Sequence, residues 1–107
     1  MNVYKVKAGT KTAYAEDETM QGAIARVKKN GVVTPDLDGE YVRMDKNLFI
    51  VSEVATESDI HKITASDGRE YLVSAADFDK LVGKIVEAKD VLKVEKLADK
   101  GVLLKAK

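Results

Sequence analysis

Residues 39–73 read GEYVRMDKNLFIVSEVATESDIHKITASDGREYLV, and the fold turns on how this stretch divides. It reads as three or four short strands in close succession, with no space for a helix between them. From Leu48 to Val54 both registers are apolar: Leu48, Ile50 and Val54 fall on one side, Phe49 and Val51 on the other. A strand apolar on both sides belongs inside a folded sheet or small barrel, so this segment is expected at the centre. Asp67–Gly68, between Thr64 and Tyr71, supplies the positive-φ residue that a tight hairpin needs. Phe49, Ile50, Val51, Ile63, Tyr71 and Leu72 are therefore expected to be buried together. Ile60 and Ile63 lie three apart and cannot share a strand face, which predicts a bulge or a late strand start.

Toward the N-terminus, residues 2–7 alternate as a strand does. Gly9 breaks the pattern and residues 10–15 form a second strand, the two making a hairpin. From Asp17 the period changes. Met20, Ala23, Ile24 and Val27 recur at helical spacing, with Asp17 and Glu18 before them and Arg26, Lys28 and Lys29 at the end, as the helix dipole favours. This predicts a helix over 18–29 that stops at Gly31. Asn30–Gly31 is also a hairpin signal, so a strand over 24–27 is the alternative. Val33-Thr34-Pro35-Asp36 reads as a turn.

Toward the C-terminus, Ser74 can cap a short helix over 75–82 that Gly83 ends. Phe78, Val82, Ile85 and Leu92 also fit one long helix. The Val-rich runs IVEA, VLKVEKL and VLLKAK, however, favour strands, with a turn at Asp99-Lys100-Gly101. The expected fold is one α+β domain over 1–107: a small curved antiparallel sheet or SH3-like partial barrel with one or two short helices. The stretch 39–78, closing with REYLV and a helical turn, is similar in rhythm to a five-stranded SH3-like small barrel.

Composition narrows the functional classes. The chain has 107 residues, 45% apolar and 34% charged, which is globular material of single-domain size. It has no cysteine, so disulfide and thiolate chemistry are excluded. No apolar run approaches the roughly 18 residues of a membrane span. The opening MNVYKVKAGTKT lacks the apolar core of a signal peptide, and a cytoplasmic location is the expectation. Net charge is zero but unevenly spread: residues 1–35 carry +3, 36–79 carry −7, and 80–107 carry +4.

Chemical motifs fail one by one. His61 is the single histidine, with no sequence-adjacent nucleophile to activate, and zinc wants three or four Cys/His ligands. Asp36-Leu37-Asp38-Gly39-Glu40 spaces three carboxylates at alternate positions. As an EF-hand loop it would have Tyr41 where glycine is required and Asn47 where glutamate is required. Gly83-Lys84 lacks the first glycine of a phosphate loop, with Phe78 in its place, and has Ile85 where Ser/Thr belongs. Carboxylates such as Glu53, Asp59, Asp77 and Asp79 would need the fold to bring them together. No catalytic, cofactor-binding or metal-ligating residue is assigned.

The leading expectation is a non-enzymatic module that docks on a macromolecular partner, a protein, with Asp36, Asp38 and Glu40 facing it. Such bipolar surfaces orient partners without strong net attraction. The compact, motif-free, lysine-rich make-up suits a bacteriophage accessory or inhibitor protein. The first alternative is an RNA- or DNA-binding barrel. There Lys5, Lys7, Lys11, Arg26, Lys28 and Lys29 would meet phosphates while Tyr4 and Tyr14 stack on bases. An enzyme without a recognisable motif is the third class.

Overall fold

The computed structural model describes residues 1–34, 39–44 and 47–106. In chain order it holds β1 (Asn2–Ala8), β2 (Lys11–Asp17), α1 (Met20–Asn30), β3 (Glu40–Arg43), β4 (Leu48–Ile50), β5 (Val54–Ala65) and β6 (Glu70–Ser74). A 3-10 turn (Ala75–Asp77) leads into α2 (Phe78–Leu81), and a second (Ala88–Asp90) into β7 (Val91–Leu104). The strands form one sheet ordered β3-β1-β2-β7-β5-β6-β4. The chain is thus a small mixed α+β domain, and residues 39–73 hold four strands as their sequence predicts. The sheet is not purely antiparallel: β2 runs parallel to β7, and β4 parallel to β6.

β5 and β7 are long because each belongs to two halves of the sheet. The end of β7, Gly101–Leu104, pairs with β2, while its first part, Val91–Ala98, lies along the end of β5. Register shifts between β5 and β7 fall at Val54/Ser58, Ser58/Ile60, Ile60/His61 and Thr64/Ala65. Such bulges bend a sheet and increase its twist. Here the two halves turn toward each other over one apolar cluster: Val3 and Tyr14 from one half, Leu48, Ile50, Ile60 and Leu72 from the other, with Leu103 between. The N–H of Met44 donates to the Val3 carbonyl at 2.8 Å, tying the chain between β3 and β4 to β1. The end strands β3 and β4 do not pair, so the sheet is not closed.

Each half is covered on its outer face by a helix. α1 packs Ala23 and Val27 onto Tyr4, Val6, Ala13, Ala15, Val102 and Leu104. The helix expected over 18–29 forms, and the rival strand does not, because Met20, Ala23, Ile24 and Val27 make one apolar face over this sheet. Its start is fixed by Thr19, whose hydroxyl accepts from the Gly22 N–H at 3.0 Å. Gly31, at φ 78°, ends it by donating to the Val27 carbonyl. On the other half, Leu81 of α2 and Val86 cover Ile63, Ala65, Tyr71 and Val73. Ser74 stands where a cap was expected, but its side chain makes no capping bond. The Val33–Asp36 turn falls partly outside the described residues.

Three further expectations need correcting. Leu48–Val54 is not one central strand: β4 stops at Ile50, β5 starts at Val54, and β4 lies at the edge of the sheet. The six residues expected in one core are divided by the sheet. Ile50 and Leu72 lie in the inner cluster, Ile63, Tyr71 and the half-buried Val51 beneath α2, and Phe49 is exposed. The tail makes one strand where a turn was expected at Asp99-Lys100-Gly101, and IVEA contributes only an isolated bridge, Val82 to Val86. Gly101 is not among the positive-φ glycines. It serves close approach: a Cβ there would stand 2.6 Å from Cγ1 of the fully buried Ile60.

Candidate functional site

Parallel pairing of β4 with β6 sets Phe49 level with Tyr71, on the face opposite Leu48 and Ile50. Their ring centroids are 5.9 Å apart, with the planes inclined by 34°. Tyr71 is buried under the edge of α2, and Phe49 rests on it with 48% of its surface exposed. Ile85 joins them from the loop after α2. That loop is a tight knot in which the N–H groups of Ile85 and Val86 both donate to the Leu81 carbonyl, at 2.9 and 3.0 Å. The N–H of Gly83, at φ 92°, donates to the Val86 carbonyl at 2.7 Å. With Leu81 and Val86 buried, the knot leaves Ile85 pointing outward, 58% exposed.

Between these side chains lies a mainly apolar depression of about 280 Å³ that Val51 and Arg69 complete. A second depression, of about 330 Å³, shares Arg69, Tyr71 and Ile85 with the first and continues toward Asp67, Glu87 and Asp90. Together they form one groove, aromatic and aliphatic at one end and acidic at the other. Arg69 stands at the junction, its Nε 3.7 Å from Asp67 Oδ2. The β5–β6 hairpin fixes both residues: the Arg69 N–H donates to Asp67 Oδ1 at 3.0 Å, and Gly68 adopts φ 89°. Ser66 holds Asp90 in place, its N–H donating to the Asp90 carbonyl at 2.7 Å and its hydroxyl to Oδ1 at 3.3 Å.

The basic residues singled out from sequence are not gathered on one surface. Lys5 and Lys7 lie on the face of β1 opposite Tyr4 and Val6, the pair that α1 covers. Lys28 and Lys29 are exposed on α1 itself. Lys11 pairs with Glu57 at 2.9 Å. Arg26 is engaged through each of its three nitrogens, its Nε donating to the Glu16 carbonyl at 3.1 Å, Nη1 to the Lys105 carbonyl at 3.4 Å and Nη2 to Asp17 at 3.1 Å. The Thr19 N–H, aided by Arg26, holds the Asp17 carboxyl below the usual carboxylate range. Arg26 and Lys29 line a third depression, of about 230 Å³, with Asn30, Glu53, Ala55 and Leu104. Tyr4 and Tyr14 are both buried.

Of the acidic candidates, Glu40 is exposed and sits directly across from Lys7 in the β1–β3 ladder, while Asp36 and Asp38 lie outside the described residues. His61 lies mid-β5 between Val73 and Lys96, half-buried, with its Nδ1 enclosed and without a hydrogen-bond partner. Among the described residues no group of three or more His, Asp or Glu is placed to hold a metal ion. The groove residues Phe49, Arg69 and Ile85 are ones that sequence reasoning did not select. Their signal was a parity: Phe49 alternates with the two buried residues of its own strand. Comparison with protein-family models, with curated proteins and with solved structures finds no match to the chain.

Proposed function

We propose that the chain is a non-enzymatic docking module for a protein partner, and that it binds through the Phe49–Tyr71–Ile85 groove. The observation that carries this reading is the exposed Phe49, stacked on Tyr71 and flanked by Ile85 and Arg69. Aromatic and arginine side chains beside a hydrophobic depression are the residue types that dominate interface energies. The acidic end of the groove sets the rest of the chemistry. The matching segment carries an apolar side chain for the aromatic end and a lysine or arginine a few residues away for Asp67, Glu87 and Asp90. The sheet folds back over the Tyr14 cluster, which supports reading the scaffold as a partial barrel in the manner of SH3-like domains.

The nucleic-acid reading draws less support. Lys28 and Lys29 remain available on α1, but Lys11 and Arg26 are held in intramolecular contacts, and Lys5 and Lys7 stand on the other side of the sheet. A display selection from a random peptide library tests the proposal. Wild type should enrich sequences that combine an apolar residue with a nearby basic one, and Phe49→Ser should not retain them. No enrichment, or enrichment indifferent to Phe49→Ser, contradicts it. A gel shift on random single-stranded RNA and DNA at two salt concentrations tests the rival. Tight binding that collapses as salt rises, as counterion release requires, would replace the proposal with the nucleic-acid reading.

A further inference from the structure

Over its first part, one edge of β7 meets no strand among the described residues. β2 pairs with it only over Gly101–Leu104, and β5 takes the other side. Over Val91–Ala98 the side away from β5 therefore meets no strand among the described residues. Leu92 and Val94 stand along it, 67% and 47% exposed. Lysines and bulges at a strand edge ordinarily keep other strands away. Here the bulged residues are Leu92 and Leu97, each left without a partner on β5, so Lys93–Lys96 forms a regular run. Within it Lys93 and Glu95 lie on the same face, with Nζ and Oε1 3.2 Å apart. An edge that repels a foreign strand through Lys93 accepts one that brings a glutamate opposite it, and a copy of this strand does so.

We propose that this edge of β7 pairs with the same edge of a second copy, antiparallel about a twofold axis at Val94, joining two sheets into one. Directly opposed residues share a face, so a symmetric antiparallel pairing must centre on a residue. Of the four residues in the regular run, Lys93, Glu95 and Lys96 would each meet their own charge at the axis. Val94 meets only Val94. With the axis there, Lys93 of each copy stands across from Glu95 of the other, on both sides of the contact. The two exposed valines meet on the opposite face of the joined sheet. The ladder is short, so the dimer is weak and forms at high protein concentration.

Sedimentation over a concentration series reaching the millimolar range reads this directly, with circular dichroism as the control for folding. The wild type should self-associate. Lys93→Glu and Glu95→Lys should each weaken that association roughly tenfold or more, because two attractive cross-strand pairs become repulsive. The double variant Lys93→Glu/Glu95→Lys should recover it, since the charges merely exchange places. Val94→Asp, at a position without an ion pair, should weaken it too, and it serves if Glu95→Lys disturbs the neighbouring Lys62. A monomer at every concentration, single variants without effect, or a double variant that fails to recover association would each overturn the proposal.

Discussion

Two residues, Gly101 and Glu16, place tight demands on their surroundings. Gly101 lets β7 pass close over Ile60 where the two sheet halves turn together. Gly101→Ala should cost about 1–3 kcal/mol, the usual range for overpacking a filled core, and urea unfolding measures it. An unchanged midpoint would mean that the crossing has room to spare. Glu16 is the second case. Its Oε1 is enclosed without a hydrogen-bond partner, and burial pushes its pKa up against the opposing pull of Lys105, the N-terminus and Arg26. The folded state then holds this proton more tightly than the unfolded chain. Stability from this group falls as pH rises from the ordinary glutamate value through the raised one. Glu16→Gln should therefore melt higher than wild type at neutral pH, with the gap closing in acid. A lower melting temperature for Glu16→Gln at neutral pH would contradict the account.

At the scale of elements, α1 depends on its first turn. Thr19→Ala should lower stability by about 1 kcal/mol through loss of the N-cap bond to Gly22, as read by denaturant unfolding. β4 gives a sharper contrast. Ile50 faces the inner cluster and Phe49 faces solvent, so Ile50→Ala should cost about 2–5 kcal/mol through the cavity it leaves. Phe49→Ala should cost only about 1 kcal/mol or less, as surface changes do. Equal losses would mean that β4 is buried on both sides. This pair also marks what could be read from the sequence. The existence of the strands in 39–73, the helix ending at Gly31 and the Asp67–Gly68 hairpin were all legible, because each rests on local periodicity or a local turn. What was not legible was which apolar face met another layer. Phe49 and Ile50 are equally hydrophobic, and only the placement of β4 at the edge makes one core and the other surface. Gly101 likewise reads as a turn until Ile60, forty-one residues earlier, is found against it. The six basic candidates were visible as charges, but their separation onto two faces and into ion pairs is a property of the pairing order.

At the scale of the whole molecule, β5 and β7 form a spine along a body measuring 42 × 24 × 23 Å. Helices close the outer faces and one apolar cluster fills the space between the halves. The groove lies on the half built from β4, β6 and the loop after α2, away from α1 and from the lysines of β1. The proposed docking groove and the basic residues thus occupy separate parts of the surface, and one measurement distinguishes them. It is amide chemical-shift mapping of isotope-labelled protein titrated with the peptide pool that a display selection enriches. The signals of Phe49, Val51, Arg69, Tyr71 and Ile85 should move together and saturate, while those of Lys5, Lys7, Lys28 and Lys29 stay in place. Shifts centred on α1 or β1, with the groove signals unmoved, would contradict the proposed docking groove.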